Sequence, residues 1–287
     1  MTKEKLPAEE RQDSVHFTRH SRANYDTYGK IKKSENPRAA VDREDQLTPD
    51  LPEAGIRLAQ EKAEEFLSRL KPETDILFFV SSDEARALET ANVYRQAAHA
   101  KGFEILKPEH VRGKFAEKIG EGEIRTLDQL SLNIKDTLLA SVFSPDSQLG
   151  SPNWEAVDDE FKEKWKKARE IINSHDYGSY GGNLFHHSEA IAEIFPDIKT
   201  AKELYDVNFK NLLRLAEFGI KKAKESGLEK NVKILAFGHE NYMGYALNEY
   251  FGDHNIGNCE TLDINVDDSG ITLERKGEIK RINDISE

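Results

Sequence analysis

The chain has 287 residues, 37% of them hydrophobic and 33% charged, with a formal net charge of -12. It can bury one large core or two smaller ones, which excludes disorder throughout. The acidic balance gives no global attraction to nucleic acid or to an anionic membrane surface, so an anionic substrate must be held by a local cluster of basic groups.

Residues 1–13 are polar and lack the apolar core of a signal peptide, which predicts a flexible N-terminal arm. No run reaches the roughly 20 apolar residues of a membrane helix. The one cysteine, Cys259, excludes an intrachain disulfide framework and a cysteine-rich zinc site. It reads as a packed thiol, and a soluble cytoplasmic protein is the expectation.

Val15 and Phe17 alternate with His16 and Thr18, the period-two pattern of a half-buried strand, and Arg19-His20 stands where that strand ends. Open α/β sheets keep their chemistry beyond such strand ends. Residues 21–50 are polar and broken by Gly29, Pro37 and Pro49, a long loop. Ile56, Ala59, Ala63, Phe66, Leu67 and Leu70 recur at helical spacing, so an amphipathic helix over 51–70 is expected. A continuous apolar run over 74–80 predicts a strand covered on both faces.

Ser81, Ser82 and Asp83 are N-cap candidates for a helix over 81–94, which places Arg86 near its first turn and beyond the sheet, beside Arg19-His20 if the two strands are parallel neighbours. Glu84 and Glu89 are possible ion-pair partners for Arg86. A short strand over 103–106 precedes a glycine- and glutamate-rich loop. Helical stripes follow over 159–172 and 201–225, and the glycine-rich, aromatic segment 175–188 between them has the composition of a loop. Residues 232–237 form a second apolar strand run leading into Gly238-His239 and a helix, repeating the placement of Arg19-His20. Residues 259–266 and 271–274 alternate as the arms of a hairpin. These elements suggest one α/β domain over 14–287, with a helical cap insertion at about 124–200.

Taken alone, a strand-end Arg-His pair is more often a salt bridge or surface pair than a catalytic one. The ordered set is more specific. Arg19-His20, a helix start with Ser81, Ser82, Arg86, Ala87 and Thr90, Gly238-His239 after a strand, and Leu47-Thr48 ahead of Gly55 together resemble the histidine phosphatase superfamily, also called phosphoglycerate mutase-like. The resemblance covers residues 15–94 and 232–266.

It implies a three-layer α/β/α sandwich with a mostly parallel sheet. It also implies that His20 is the nucleophile of a phosphohistidine mechanism and that Arg19, Arg86 and His239 bind the phosphoryl group. No metal or cofactor is implied, because two guanidiniums and an imidazolium can neutralise the phosphoryl oxygens themselves. Ser21 and Ala23 after the pair are closer to the small phosphohistidine phosphatases than to the mutases, so hydrolysis of a phosphorylated small molecule is expected. Mutase-type phosphoryl transfer and a non-catalytic phospho-ligand or protein-binding module are the alternatives. The general acid is open among Glu117, which is favoured, Glu121 and Glu240. Arg22, Tyr25, Tyr28, His186 and His187 are candidate lining groups of the cap, and the sequence carries no sign of the oligomeric state.

Overall fold

The computed structural model describes residues 13–23, 51–82, 85–112, 116–126, 158–177, 180–196, 198–209, 213, 225–267 and 270–282. The chain groups into two compact units. One comprises Met1–Ser131, Ala216–Gly238 and Asn258–Asp284, the other Leu132–Leu215, His239–Gly257 and Ile285–Glu287. The insertion expected at about 124–200 falls largely in the second. Among the described residues no helix is long and apolar enough to cross a membrane.

The first unit is a mixed α/β unit built on one sheet. In chain order its strands are β1 (Ser14–Arg19), β2 (Asp75–Ser81), β3 (Glu104–Ile105), β4 (Arg125–Thr126), β5 (Asn231–Gly238), β6 (Thr261–Asp267), β7 (Gly270–Arg275) and β8 (Glu278–Ile282). The spatial order is β3-β2-β5-β1-β6-β7-β8, and β4 pairs with the far end of β2. The pairings of β2, β5 and β1 are parallel, and β6, β7 and β8 extend the sheet as an antiparallel arm. So β1 and β2 are parallel but not neighbours, because β5 lies between them. The expected hairpin is β6–β7, its turn residues 268 and 269 lying outside the described set. The tight turn at Lys276-Gly277 adds β8, a strand that the sequence reading lacked.

Helices α1 (Glu53–Leu67) and α2 (Ala85–Ala100) pack against this sheet. Phe66 and Leu67 of α1, Ala91 and Tyr94 of α2, Leu77 and Phe79 of β2 and Leu235 and Phe237 of β5 form one apolar cluster. Helical period on one side and alternation on the other bring these residues to a common face.

Strand β1 departs from its expected half-burial, for only Arg19 is partly exposed. Being central, β1 is covered on both faces, and the polar residues of its second face must find partners there. His16 does so fully: Nδ1 lies 2.6 Å from Asp263 Oδ1 and Nε2 lies 2.8 Å from Ser14 Oγ. Asp263 also accepts from Arg69 at 2.9 Å. Asp13, assigned to the flexible arm, is buried instead, its Oδ1 accepting the Val232 N–H at 2.8 Å. The rest of the arm lies outside the described residues.

The second unit contains α4 (Asp159–Ile172), α5 (Tyr180–His186), α6 (Ser188–Ile194), α7 (Ala201–Leu204) and α8 (Glu240–Phe251), the four-residue α3 (Ala116–Ile119) belonging to the first unit. Ala168, Ile172, Leu184, Ile191, Phe195 and Ile198 form its core. Segment 175–188, expected as a loop, includes helix α5. Its glycine composition misled because Gly182 is there for packing: a Cβ on it would stand 2.3 Å from the His254 imidazole. Tertiary contact here overrides helix propensity. The helix expected over 201–225 begins as α7 and continues as a π turn over Tyr205–Phe209. Residues 210–212 and 214–224 lie outside the described set.

Replacing Asp263 by Ala removes the acceptor of both the buried His16 and Arg69. Urea unfolding at pH 7 should show a loss of about 1–3 kcal/mol, the cost of an unsatisfied buried donor.

Candidate active site

The parallel strands end side by side. Arg19 is in register with Gly238, the His20 N–H donates to the Gly238 carbonyl at 2.9 Å, and the Ser82 N–H donates to the Phe237 carbonyl at 2.9 Å. His20 and Arg86 follow these strand ends, His20 directly after β1 and Arg86 as the second residue of α2. Both are buried, at 3% and 5% exposure.

Strand end β1 is tied from the other side by the loop that enters β6. The Cys259 N–H donates to the Arg19 carbonyl at 3.0 Å, and the Arg19 N–H donates to the Glu260 carbonyl at 3.1 Å. Cys259 is buried with a positive φ of 56°. Burial pushes its thiol up to about 11, so it is a packed neutral group.

The His20 ring is oriented by its neighbour. Nδ1 lies 2.6 Å from the Ser21 carbonyl oxygen. A carbonyl only accepts, so Nδ1 carries the proton and Nε2 carries the lone pair. Burial first, and then the charge of Arg86, push the imidazole down to about 3, against the Ser21 hydrogen bond that favours protonation. The ring is therefore neutral at neutral pH, with its lone pair on a nitrogen of fixed direction. Such a group can act as a nucleophile in the positive field of Arg19 and Arg86.

Ser21 is in turn held at every polar group. Its N–H donates to Thr90 Oγ1 at 3.0 Å, and its hydroxyl donates to the Gly55 carbonyl at 2.7 Å. Gly55 lies in the first turn of α1, where a Cβ would stand 2.3 Å from the Arg22 carbonyl oxygen. Helix α1 thus presses its backbone against the loop that carries His20, an approach open only to glycine.

His239 caps α8 in the second unit with extended backbone and is buried at 3% exposure. In sequence it directly follows Gly238. Glu240 is the first residue of α8 and is buried at 8%, whereas Glu117 on α3 and Glu121 and Glu123 after it are exposed. Glu89, offered as a partner for Arg86, accepts the Leu51 N–H at 2.7 Å. Glu84, Tyr25 and Tyr28 lie outside the described residues, and Arg22 is exposed.

In the second unit His186 lies on the surface with Nε2 3.2 Å from His254 Nδ1, and His187 faces Ser174 at 3.5 Å. Among the described residues no group of three or more His, Cys, Asp or Glu converges as metal ligands would. Sequence reasoning missed the parts played by Ser21 and Thr90. Thr90, named in the sequence only as part of the helix-start pattern, stands four residues after Arg86, the spacing at which a hydroxyl returns to the helix carbonyl, and that spacing could have signalled its hydrogen bond.

No protein-family model matches the chain, and no curated protein does. Solved structures similar to it include a phosphoglycerate mutase from Bacillus anthracis str. Sterne, at 13% identity over 96% of this chain and 94% of that one, TM-score 0.42. A phosphoserine phosphatase from Entamoeba histolytica is 15% identical over 91% and 94%, TM-score 0.37. A phytase from Klebsiella sp ASR1 is 13% identical over 92% and 82%, TM-score 0.36. Structures of phosphoglycerate mutase-like histidine phosphatases are thus among those this chain is similar to, all at a distance.

Two measurements check this geometry. His20 takes up no proton above about pH 3 in the folded chain, whereas unfolded it titrates near 6.5. Between those values the unfolded state binds more protons, so stability falls as the pH is lowered from 6.5 toward 3. Urea unfolding at pH 4.5 and 7 should show a smaller loss in His20→Gln than in the parent. Gly55→Ala should destabilise by about 1–3 kcal/mol in urea unfolding through the clash with Arg22, although alanine is ordinarily the better helix former.

Proposed function

We propose that the protein is a metal-independent histidine phosphatase that hydrolyses a phosphorylated small molecule, a phosphomonoester, through a phosphohistidine on His20. The observation that supports this most is the His20 imidazole itself: buried, neutral, with Nδ1–H held by the Ser21 carbonyl, which leaves the lone pair on Nε2, in the field of Arg19 and Arg86. A three-layer α/β/α arrangement goes with the reading, supported by burial on both faces of β2 and β5. So does work in a reducing cytoplasm, in keeping with a lone, buried thiol.

In the first step the Nε2 lone pair forms a bond to phosphorus as the ester oxygen leaves with the bonding electrons and takes a proton from a carboxylic acid. In the second, water attacks the phosphohistidine, the same carboxylate takes its proton, and phosphate departs with the imidazole restored. Arg19 and Arg86 donate to the equatorial oxygens as charge spreads over them. His239 is given the same role on its place in the sequence, directly after the Gly238 whose carbonyl holds the His20 N–H. For the acid the sequence favours Glu117. Burial favours Glu240, because proton delivery to a leaving oxygen works best where water is scarce.

A panel of phosphomonoesters without added metal, run with the parent and His20→Ala, tests the reading. The parent should release phosphate, and the variant should lose at least about a hundredfold in kcat/KM. Equal rates would sink it. Transfer to a second hydroxyl instead of water identifies a mutase, and vanadate binding without turnover identifies a binding module. Glu117→Gln and Glu240→Gln, compared with the same substrate, assign the acid to whichever loses rate.

A further inference from the structure

We infer that Thr90 is a positioning residue of this site: its hydroxyl joins the helix that carries Arg86 to the loop that orients His20. The inference rests on the phosphatase reading above. It stands on two hydrogen bonds of one side chain. Thr90 Oγ1 donates to the Arg86 carbonyl at 2.7 Å and accepts the Ser21 N–H at 3.0 Å. A threonine hydroxyl has one proton to donate, so the first bond directs its lone pairs toward the second donor.

The first of these bonds is ordinary, since helical threonines often return to the carbonyl four residues back. The second is not, for Ser21 lies 69 residues earlier in the chain and on another element. Thr90 and Ser21 are both fully buried, so the Ser21 N–H has no recourse to bulk water. Ser21 then passes the constraint on, because its carbonyl accepts from His20 Nδ1 and so sets both ring orientation and tautomer. A continuous path runs from the Arg86 carbonyl through Thr90 and Ser21 to the His20 imidazole. The guanidinium that would bind the phosphoryl group and the nitrogen that would attack it are therefore held in one frame. Hydrogen bonds of fixed direction add to the apolar packing of the helix in setting that frame.

Thr90→Val keeps the shape of the side chain and removes the hydroxyl, Thr90→Ala removes it and leaves space, and Thr90→Ser retains it. With p-nitrophenyl phosphate and orthovanadate as probes, Val and Ala should each lower kcat and weaken vanadate binding by about tenfold or more, the scale of a lost buried hydrogen bond. Ser should return both to within about threefold of the parent although it too lacks the methyl group, which separates positioning by the hydroxyl from lost packing. Parental kcat and vanadate affinity in Val or Ala overturns the inference, as does equal impairment in Ser and Ala. A parent that neither turns over the ester nor binds vanadate overturns the phosphatase reading and this inference with it. An active parent with an unimpaired Val variant overturns the inference alone.

Discussion

The first unit depends on keeping one buried imidazole neutral and aimed. His20 sits where desolvation and a neighbouring guanidinium both oppose its protonation, and the single bond from Nδ1 to the Ser21 carbonyl decides which nitrogen holds the lone pair. Everything around it serves that bond. Gly238 fixes the His20 backbone, Thr90 and Gly55 fix Ser21, and Cys259 and Glu260 fix Arg19. In the proposed mechanism a protonated His20 beside two guanidiniums would be repelled by them and could not attack phosphorus, so the positive field that would recruit an anion would also prepare its nucleophile.

A second histidine on the same strand shows how partners separate structure from chemistry. His16 bonds Asp263 through Nδ1 and Ser14 through Nε2, the connectivity of a hydrolytic triad. Yet Ser14 is 1% exposed, no substrate can reach it, and Asp263 is shared with Arg69. The network satisfies polar groups on the inner face of a central strand and ties β1 to β6. His20 differs in having an acceptor-only partner on one nitrogen and a place beyond the strand end, where ligands enter α/β sheets.

The net charge of -12 and the basic cluster are compatible because charge acts locally in a buried setting. Acidic residues scattered over a solvated surface are screened within about 10 Å at ordinary ionic strength. Arg86 at 5% exposure is not. The chain can therefore repel polyanions as a whole and still keep a local positive field around His20.

Much of the fold was legible in the residues. Apolar runs and helical stripes located β1, β2, β5, α1, α2, α4 and α8, and strand ends with basic residues located Arg19, His20, Arg86 and His239 as candidates. Those patterns depend on local period and on turn chemistry, which a sequence carries by itself. Tertiary structure alone decided that β5 separates β1 from β2, that β1 is buried on both faces, that Gly182 belongs to a helix, and that Glu240 is buried while Glu117 is exposed. It also decided that Thr90, Ser21 and Gly55 form the support of His20. Each of these rests on contacts between residues tens or hundreds of positions apart, where direction and burial decide the energy of a hydrogen bond and periodicity records neither.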